Sequence, residues 1–438
     1  MNEREIVASS HAAVDAGSPR QAGAGAAGDL QHAGATGAQR LDARLLAPND
    51  DVATALRDLE AGSTLRLSSA DAQRVVTLAE DIPAGHKFAV RDLADGLRIR
   101  KYGEFIGRLT QPVATGAWVH VHNLETSARR NARDERVLVE GIETPQRIDT
   151  LGDARCALGE SPVWDAQRQH LWWIDVRDTP AIHRIDMRSG AAMRWPMSED
   201  IGSIALTRGR HVVAALRSGF AFFDPADGTL APICDPEPHL PGNRLNDGKC
   251  DAQGRFWCGS MNPESGLAEG SLYVLGTDLQ CSRTQDDWLT PNGITWSSDG
   301  LTMLVADTRR GTIYAFDVEP ASATLGKRRV FADLGALPGG PDGATTDSEG
   351  FLWSAQWDGG CLIRYHPQGH IDRIVRLPVS RPTSCAFGGP SCRQLFVTTA
   401  MRGLSPEQRE AEPLAGRVLV LDVGVTGLPP MPFSGEPA

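Results

Sequence analysis

Cysteine is scarce in this sequence, with eight in 438 residues and no C-x-x-C pair among them. That spacing argues against zinc ligands or a disulfide framework. Cys234, Cys250, Cys258, Cys361, Cys385 and Cys392 fall in or near strand-like runs and read as buried thiols, which fits a reducing, cytoplasmic setting. Long apolar runs are missing too. None approaches ~18 residues, so no membrane span is expected, and the start MNEREIVASSH has no apolar stretch of the kind a secretory signal needs. Positive charge is also short. Lys plus Arg number 44 against 55 for Asp plus Glu, giving −11 and a pI near 5.5, which speaks against a nucleic-acid or anionic-membrane partner. No helical pattern of 10–15 residues separates the strand-like runs, which excludes a βαβ sheet. What is present is an ordinary globular composition, 41% hydrophobic and 23% charged, on a chain long enough for two domains. The oligomeric state is not legible at this level.

Residues 1–44 are rich in Ala, Gly, His and Ser and cannot bury enough surface to offset their ordering entropy, so they read as disordered. Residues 45–126 carry short alternating runs such as Thr64–Leu67, Val75–Leu78 and Leu97–Arg100, broken by turn signals at Gly62, Gly85, Gly96 and Gly116, which predicts a small all-β domain. Three phrases, IPAGHKF from Ile82, KYGEFIG from Lys101 and WVHVHNLE from Trp118, resemble the SAF (β-clip) domain of altronate and galactarate dehydratases. The catalytic domain of those dehydratases has no counterpart here. His120 and His122 share one strand face. With His86 they read either as surface polarity or as a metal or sugar-acid contact. Residues 127–148 read as a linker and 428–438 as a tail.

From 149 to 427 the sequence repeats. Equivalent positions fall at Glu160, Ile201, Asn246, Asn292, Asp342 and Thr383, at intervals of 41, 45, 46, 50 and 41 residues. Each unit has a short strand, a turn, a strongly apolar strand such as LWWIDV or FWCGSM, and a further strand such as IHRID or TIYAFD. Six such units predict a six-bladed β-propeller. Residues that begin the innermost strands of a propeller meet at one mouth. Asn-Gly and Asp-Gly are also ordinary turn dipeptides. Asp227-Gly228, Asp299-Gly300 and Asp358-Gly359 are read that way, and for Asn246, Asn292 and Asp342 both readings stand. Glu160, in GES, has no turn explanation, and a carboxylate facing the channel needs a partner. An all-oxygen set of two carboxylates with carboxamides suits Ca²⁺, Mg²⁺ or Mn²⁺.

The phrases GESPVW, NRLNDGKCDAQGRFWCGSM, PNGITWS, PDGATTDSEGFLW and SRPTSCAFGG occur in the order found in the regucalcin/gluconolactonase (SMP-30) family, which this chain resembles over about 275 residues. The resemblance implies one divalent ion, Ca²⁺ first and Zn²⁺, Mn²⁺ or Mg²⁺ as alternatives, held by Glu160, Asn292 and Asp342. It further implies contacts from Arg244, Asn246 and Glu264 to the hydroxyls of a sugar lactone, under a loop over 262–270. Lactone hydrolysis places negative charge on the carbonyl oxygen, where a divalent cation acts as a Lewis acid and activates water, and Asp342 is the candidate general base. No G-x-S-x-G is present, so a serine mechanism is disfavoured. The expected activity is opening of an aldono- or aldarolactone, the second because the β-clip belongs to enzymes that consume sugar acids. A phosphotriesterase or arylesterase on the same scaffold, and a non-enzymatic binder of Ca²⁺ or a sugar acid, are the rival readings.

Overall fold

The computed structural model describes residues 42–45, 47–69, 72–125, 142–145, 147–335 and 337–437. The expected disorder of 1–41 and the linker over 127–141 lie outside them. The described chain is almost wholly β, and its one described helix is the single turn and a half Pro406–Ala411, capped by Ser405 and Gln408.

The N-terminal domain, expected to be a β-clip, has one sheet in the order Ala43–Arg44, Val52–Ala55, Lys87–Ala89, Trp118–Val119. A hairpin Thr64–Ser69/Ala72–Thr77 and a three-stranded sheet of Arg98–Lys101, Glu104–Leu109 and Leu124–Glu125 complete it. Its alternating runs bury Leu65, Leu67, Val76 and Phe88 in one cluster. A second cluster, with Leu97, Ile99 and Leu109, takes in Leu289 from the larger body, so the two share an apolar core.

The repeats form six antiparallel sheets whose first four strands follow one another in sequence or nearly so. Their first strands are Gly159–Asp165, Ile201–Leu206, Arg244–Cys250, Pro291–Trp296, Gly340–Thr346 and Pro382–Gly388. Each first strand lies against the next, and the sixth lies against the first. The apolar strands next to them bury the large aromatics, among them Trp173, Trp257 and Trp353, between neighbouring sheets. Two D-x-x-G-like turns use one device. Asp251 accepts from the backbone N–H groups of Gln253 and Arg255 and from Trp257 Nε1, and Asp347 does the same for Glu349, Phe351 and Trp353.

One pairing closes the repeat region, and three segments depart from the sequence reading. The sixth sheet is completed by Asp149–Leu151, which pairs antiparallel with Val418–Asp422, so the two ends of the repeat region are joined by one ladder. Ile142–Glu143, read as linker, adds a parallel fifth strand to Ile371–Arg376. Ala43–Arg44, read as disordered, pairs with Val52–Ala55. Phe433, read as part of a tail, is fully buried against Phe222 and bridges Thr207. In each case a short apolar or extended piece satisfies a sheet edge, which local composition does not reveal. All eight cysteines are free, but Cys234, Cys281 and Cys392 are only partly buried. Among the described residues no helix is long and apolar enough to cross a membrane.

Candidate active site

The first strands share a defect that places the site residues. Each carries a β-bulge where the repeat puts its equivalent residue, between Glu160 and Val163, Ile201 and Ser203, Leu245 and Gly248, Asn292 and Thr295, Pro341 and Ala344, and Pro382 and Ser384. A bulge leaves residues unpaired and re-aims their side chains. Ser161 and Gly293, the residues after Glu160 and Asn292, take positive φ of 48° and 57°. Asn-Gly and Asp-Gly at 292 and 342 are therefore not turns between strands. Gly293 is required because a Cβ there would stand 2.6 Å from the Asp342 carbonyl oxygen, and Gly343 because one would meet Ser384 Oγ at 2.1 Å. The glycines let neighbouring strands approach where the sheets converge.

Arg244, Asn246 and Asn292 form one hydrogen-bonded chain. Arg244 Nη1 donates to Asn246 Oδ1 at 2.7 Å, and Asn246 Nδ2 donates to Asn292 Oδ1 at 2.8 Å and to the Pro291 carbonyl at 2.9 Å. Asn292 Nδ2 donates to Thr308 Oγ1 at 2.8 Å, and Thr308 Oγ1 donates to the Pro341 carbonyl at 2.7 Å, next to Asp342. Arg244, Asn292 and Asp342 are buried at 6%, 6% and 4% exposure. Arg244 Nε is a buried donor with no partner.

Glu160, Asp342 and Asp247 bring three negative charges together. Loss of hydration, then Asp342 and Asp247, push the Glu160 carboxyl well above the usual carboxylate range. Burial, then Asp247, do the same to Asp342, and burial lifts Asp247, opposed by Lys249 and by the N–H of Ile294. Burial also holds the Arg244 guanidinium down to about 10. Repelling buried carboxylates are stable only with protons or a cation between them. Among the described residues no three His, Cys, Asp or Glu side chains are grouped to hold a metal by themselves. Glu160 and Asp342 with the Asn292 carboxamide nevertheless fit a hard divalent ion, because their donors are all oxygen and their charge is unbalanced.

Glu264 stands apart. Its side chain is 83% exposed and lies 3.9 Å from Arg177 Nη1. Arg177 in turn pairs with Asp200, whose charge reaches Arg244, so Glu264 belongs to the rim. A cavity of about 220 Å³ opens beside Arg244, lined by Arg217, Glu237 and Asn243, but not by Glu160, Asn292 or Asp342.

Sequence reasoning did not single out Asp247. Strict alternation would send Asn246 and Asp247 to opposite faces. The bulge lets both bond the fourth sheet, Asn246 through Asn292 and Asp247 Oδ2 from the Ile294 N–H at 3.0 Å. Thr308 and the half-buried Lys249, which donates to the Ala344 carbonyl at 2.6 Å, were also missed, and nothing in their local sequence marks them. In the β-clip, His86, His120 and His122 gather around Trp118, with ring centroids 5.0 to 6.4 Å apart.

Comparison with known proteins places these features in context. Residues 158–401 match the family model of the SMP-30/gluconolactonase/LRE-like region, and residues 43–127 match that of the altronate/galactarate dehydratase SAF domain. Regucalcin of Gallus gallus is 34% identical over 296 residues, 66% of this chain and 99% of the relative. L-arabinolactonase of Azospirillum brasilense is 34% identical over 306 residues, 68% and 99%. The solved structure of regucalcin from Agrobacterium tumefaciens strain C58, described as a calcium-binding protein, superimposes with a TM-score of 0.64 at 27% identity, covering 67% of this chain and 99% of that one.

Proposed function

The chain belongs to the SMP-30/gluconolactonase/LRE-like family and is a lactonase, and from that premise we propose that it opens an aldono- or aldarolactone to the free sugar acid. The six sheets are read as the blades of a six-bladed propeller, over about 149–427, with the β-clip over about 45–126. The observation that carries the reading is the unbalanced charge of Glu160, Asp342 and Asp247 beside the hydrogen-bonded chain from Arg244 to Asn292.

Glu160, Asn292 and Asp342 would hold one divalent ion, Ca²⁺ in the first instance. Such an ion supplies Lewis acidity for the lactone carbonyl and lowers the pKa of water. Asp342 takes the proton of the water whose oxygen bonds to the carbonyl carbon. The bond between the carbonyl carbon and the ring oxygen then breaks, and Asp342 returns its proton to the ring oxygen, which leaves as the new hydroxyl. Arg244 offers its unpartnered Nε to substrate oxygens through a planar, rigid group. Asn246 ties Arg244 to Asn292 and so keeps recognition in register with the ion site. Glu264 acts at the rim.

The test is a panel of aldonolactones and aldarolactones, with Ca²⁺, Mn²⁺, Mg²⁺ or Zn²⁺ added and with chelator. Cation-dependent opening of at least one lactone is expected. No opening under any condition, or phosphotriester turnover far above it, would overturn the reading.

A further inference from the structure

Asp342 sits in the least self-supported part of its strand. Gly340 pairs with Trp357 and Pro341 with Gln356, and pairing resumes only at Ala344 with Ser354. The bulge leaves Asp342 and Gly343 without ladder partners, so their conformation depends on what holds the open end of the hairpin. Much of that end is held by the β-clip. Arg98 donates through Nη1 to the Gly339 carbonyl and through Nη2 to that of Leu337 at 3.3 Å. Arg100 Nη2 donates to Asp358 Oδ2 at 2.8 Å, just beyond Trp357, and Arg381 Nε, one residue before the first strand of the sixth sheet, donates to Asp358 Oδ1 at 2.5 Å.

The two clip guanidiniums are themselves aimed. Each lies over the Phe105 ring, at 4.1 and 4.2 Å from its centroid. Asp51 Oδ2 accepts from the Arg100 backbone N–H at 2.8 Å while its Oδ1 pairs with Arg91. The same domain also holds the loop over 262–270. Ala94 N–H donates to the Gly266 carbonyl at 3.2 Å, and Arg98 N–H donates to the carbonyl of Arg309, whose guanidinium donates to the Ser265 carbonyl at 2.5 Å. Gly266 packs so closely that a Cβ would stand 2.1 Å from the Asp92 carbonyl oxygen.

We propose that the β-clip is a fixed wall of the lactonase site rather than a tethered recruiting module, and that Arg100 is a positioning residue that aims Asp342 through Asp358. This rests on the assignment of Asp342 to the ion and the base. The geometry also explains why Asp358, in an ordinary Asp-Gly turn, bonds two arginines from different parts of the fold.

The experiment uses the full chain with Arg100→Ala, Arg100→Lys, Asp358→Asn and, as a control elsewhere on the same interface, Arg108→Ala. Removing an outer partner of a liganding group costs roughly 10–100-fold in affinity or activity. Arg100→Ala is expected to lower kcat about tenfold with KM within about twofold, to weaken Ca²⁺ binding by calorimetry by about tenfold, and to speed hydrogen exchange over 340–346. Arg100→Lys should recover part of each, and Asp358→Asn should match Arg100→Ala. Wild-type kcat, Ca²⁺ affinity and exchange in Arg100→Ala would overturn the proposal, as would equal losses in Arg108→Ala, which would reduce the effect to general docking. If the wild type opens no lactone, the calcium and exchange measurements still decide the positioning claim.

Discussion

Two regions of this molecule concentrate charge wholly or partly withdrawn from water, and they handle it in opposite ways. At the interface between β-clip and body, carboxylates face guanidiniums, with Asp358 between Arg100 and Arg381, Asp51 beside Arg91, and Asp333 beside Arg108. Where the first strands converge, Glu160, Asp342 and Asp247 repel one another and are raised by burial, with Arg244 and Lys249 as the nearby cations. Matched charge attaches one part of the fold to another, and mismatched charge leaves a free-energy deficit that only protons or a cation can fill.

The largest effect is expected at Asp342. Asp342→Asn should lower kcat by ~10²–10⁴, the span a positioned base contributes, while calorimetry still detects a weakened cation site. Full activity would remove Asp342 as base. Glu160→Gln should weaken Ca²⁺ binding at least ~10-fold and, in chelator, raise the thermal midpoint, because a repelling charge is gone. A lowered midpoint would mean that Glu160 is satisfied by the protein alone.

A smaller effect follows from pH. Glu160, Asp342 and Asp247 have folded-state pKa values raised above the unfolded ones, so the unfolded chain binds fewer protons as pH climbs through that window. Their contribution to stability is complete below the ordinary carboxylate range and is lost as pH rises through the folded values. The chelated protein should therefore lose thermal stability as pH rises above the ordinary carboxylate range, and Ca²⁺ should flatten that slope. An unchanged slope on adding Ca²⁺ would sink the idea that a cation balances these groups. At the interface, by contrast, a double-mutant cycle on Arg108 and Asp333, both partly exposed, should return no more than about 1 kcal/mol.

Much of the architecture was legible in the chain itself. The spacing of Glu160, Asn292 and Asp342 within the repeats put them at equivalent places on the first strands of the first, fourth and fifth sheets, and the absence of helical periodicity matches a nearly all-β fold. The D-x-x-G turns behave as their residue types require. The local reading failed where a residue's partner is far away in sequence. Asp247 joined the carboxylate cluster only because a bulge breaks the alternation that would have turned it away. Asp358 read as a turn residue, and it is one, but its two arginines come from residues 100 and 381.

By itself, then, the sequence determined the unit of construction, because strand alternation, turn residues and repeat period are local and short-range. It also determined which oxygen-bearing side chains occur at equivalent places. Tertiary structure decided which of them face one another, how Asp149–Leu151 joins the ends of the repeats, and where the β-clip sits. Those outcomes depend on bulges, close glycine approaches and long-range hydrogen bonds, whose energies exist only once the sheets have packed.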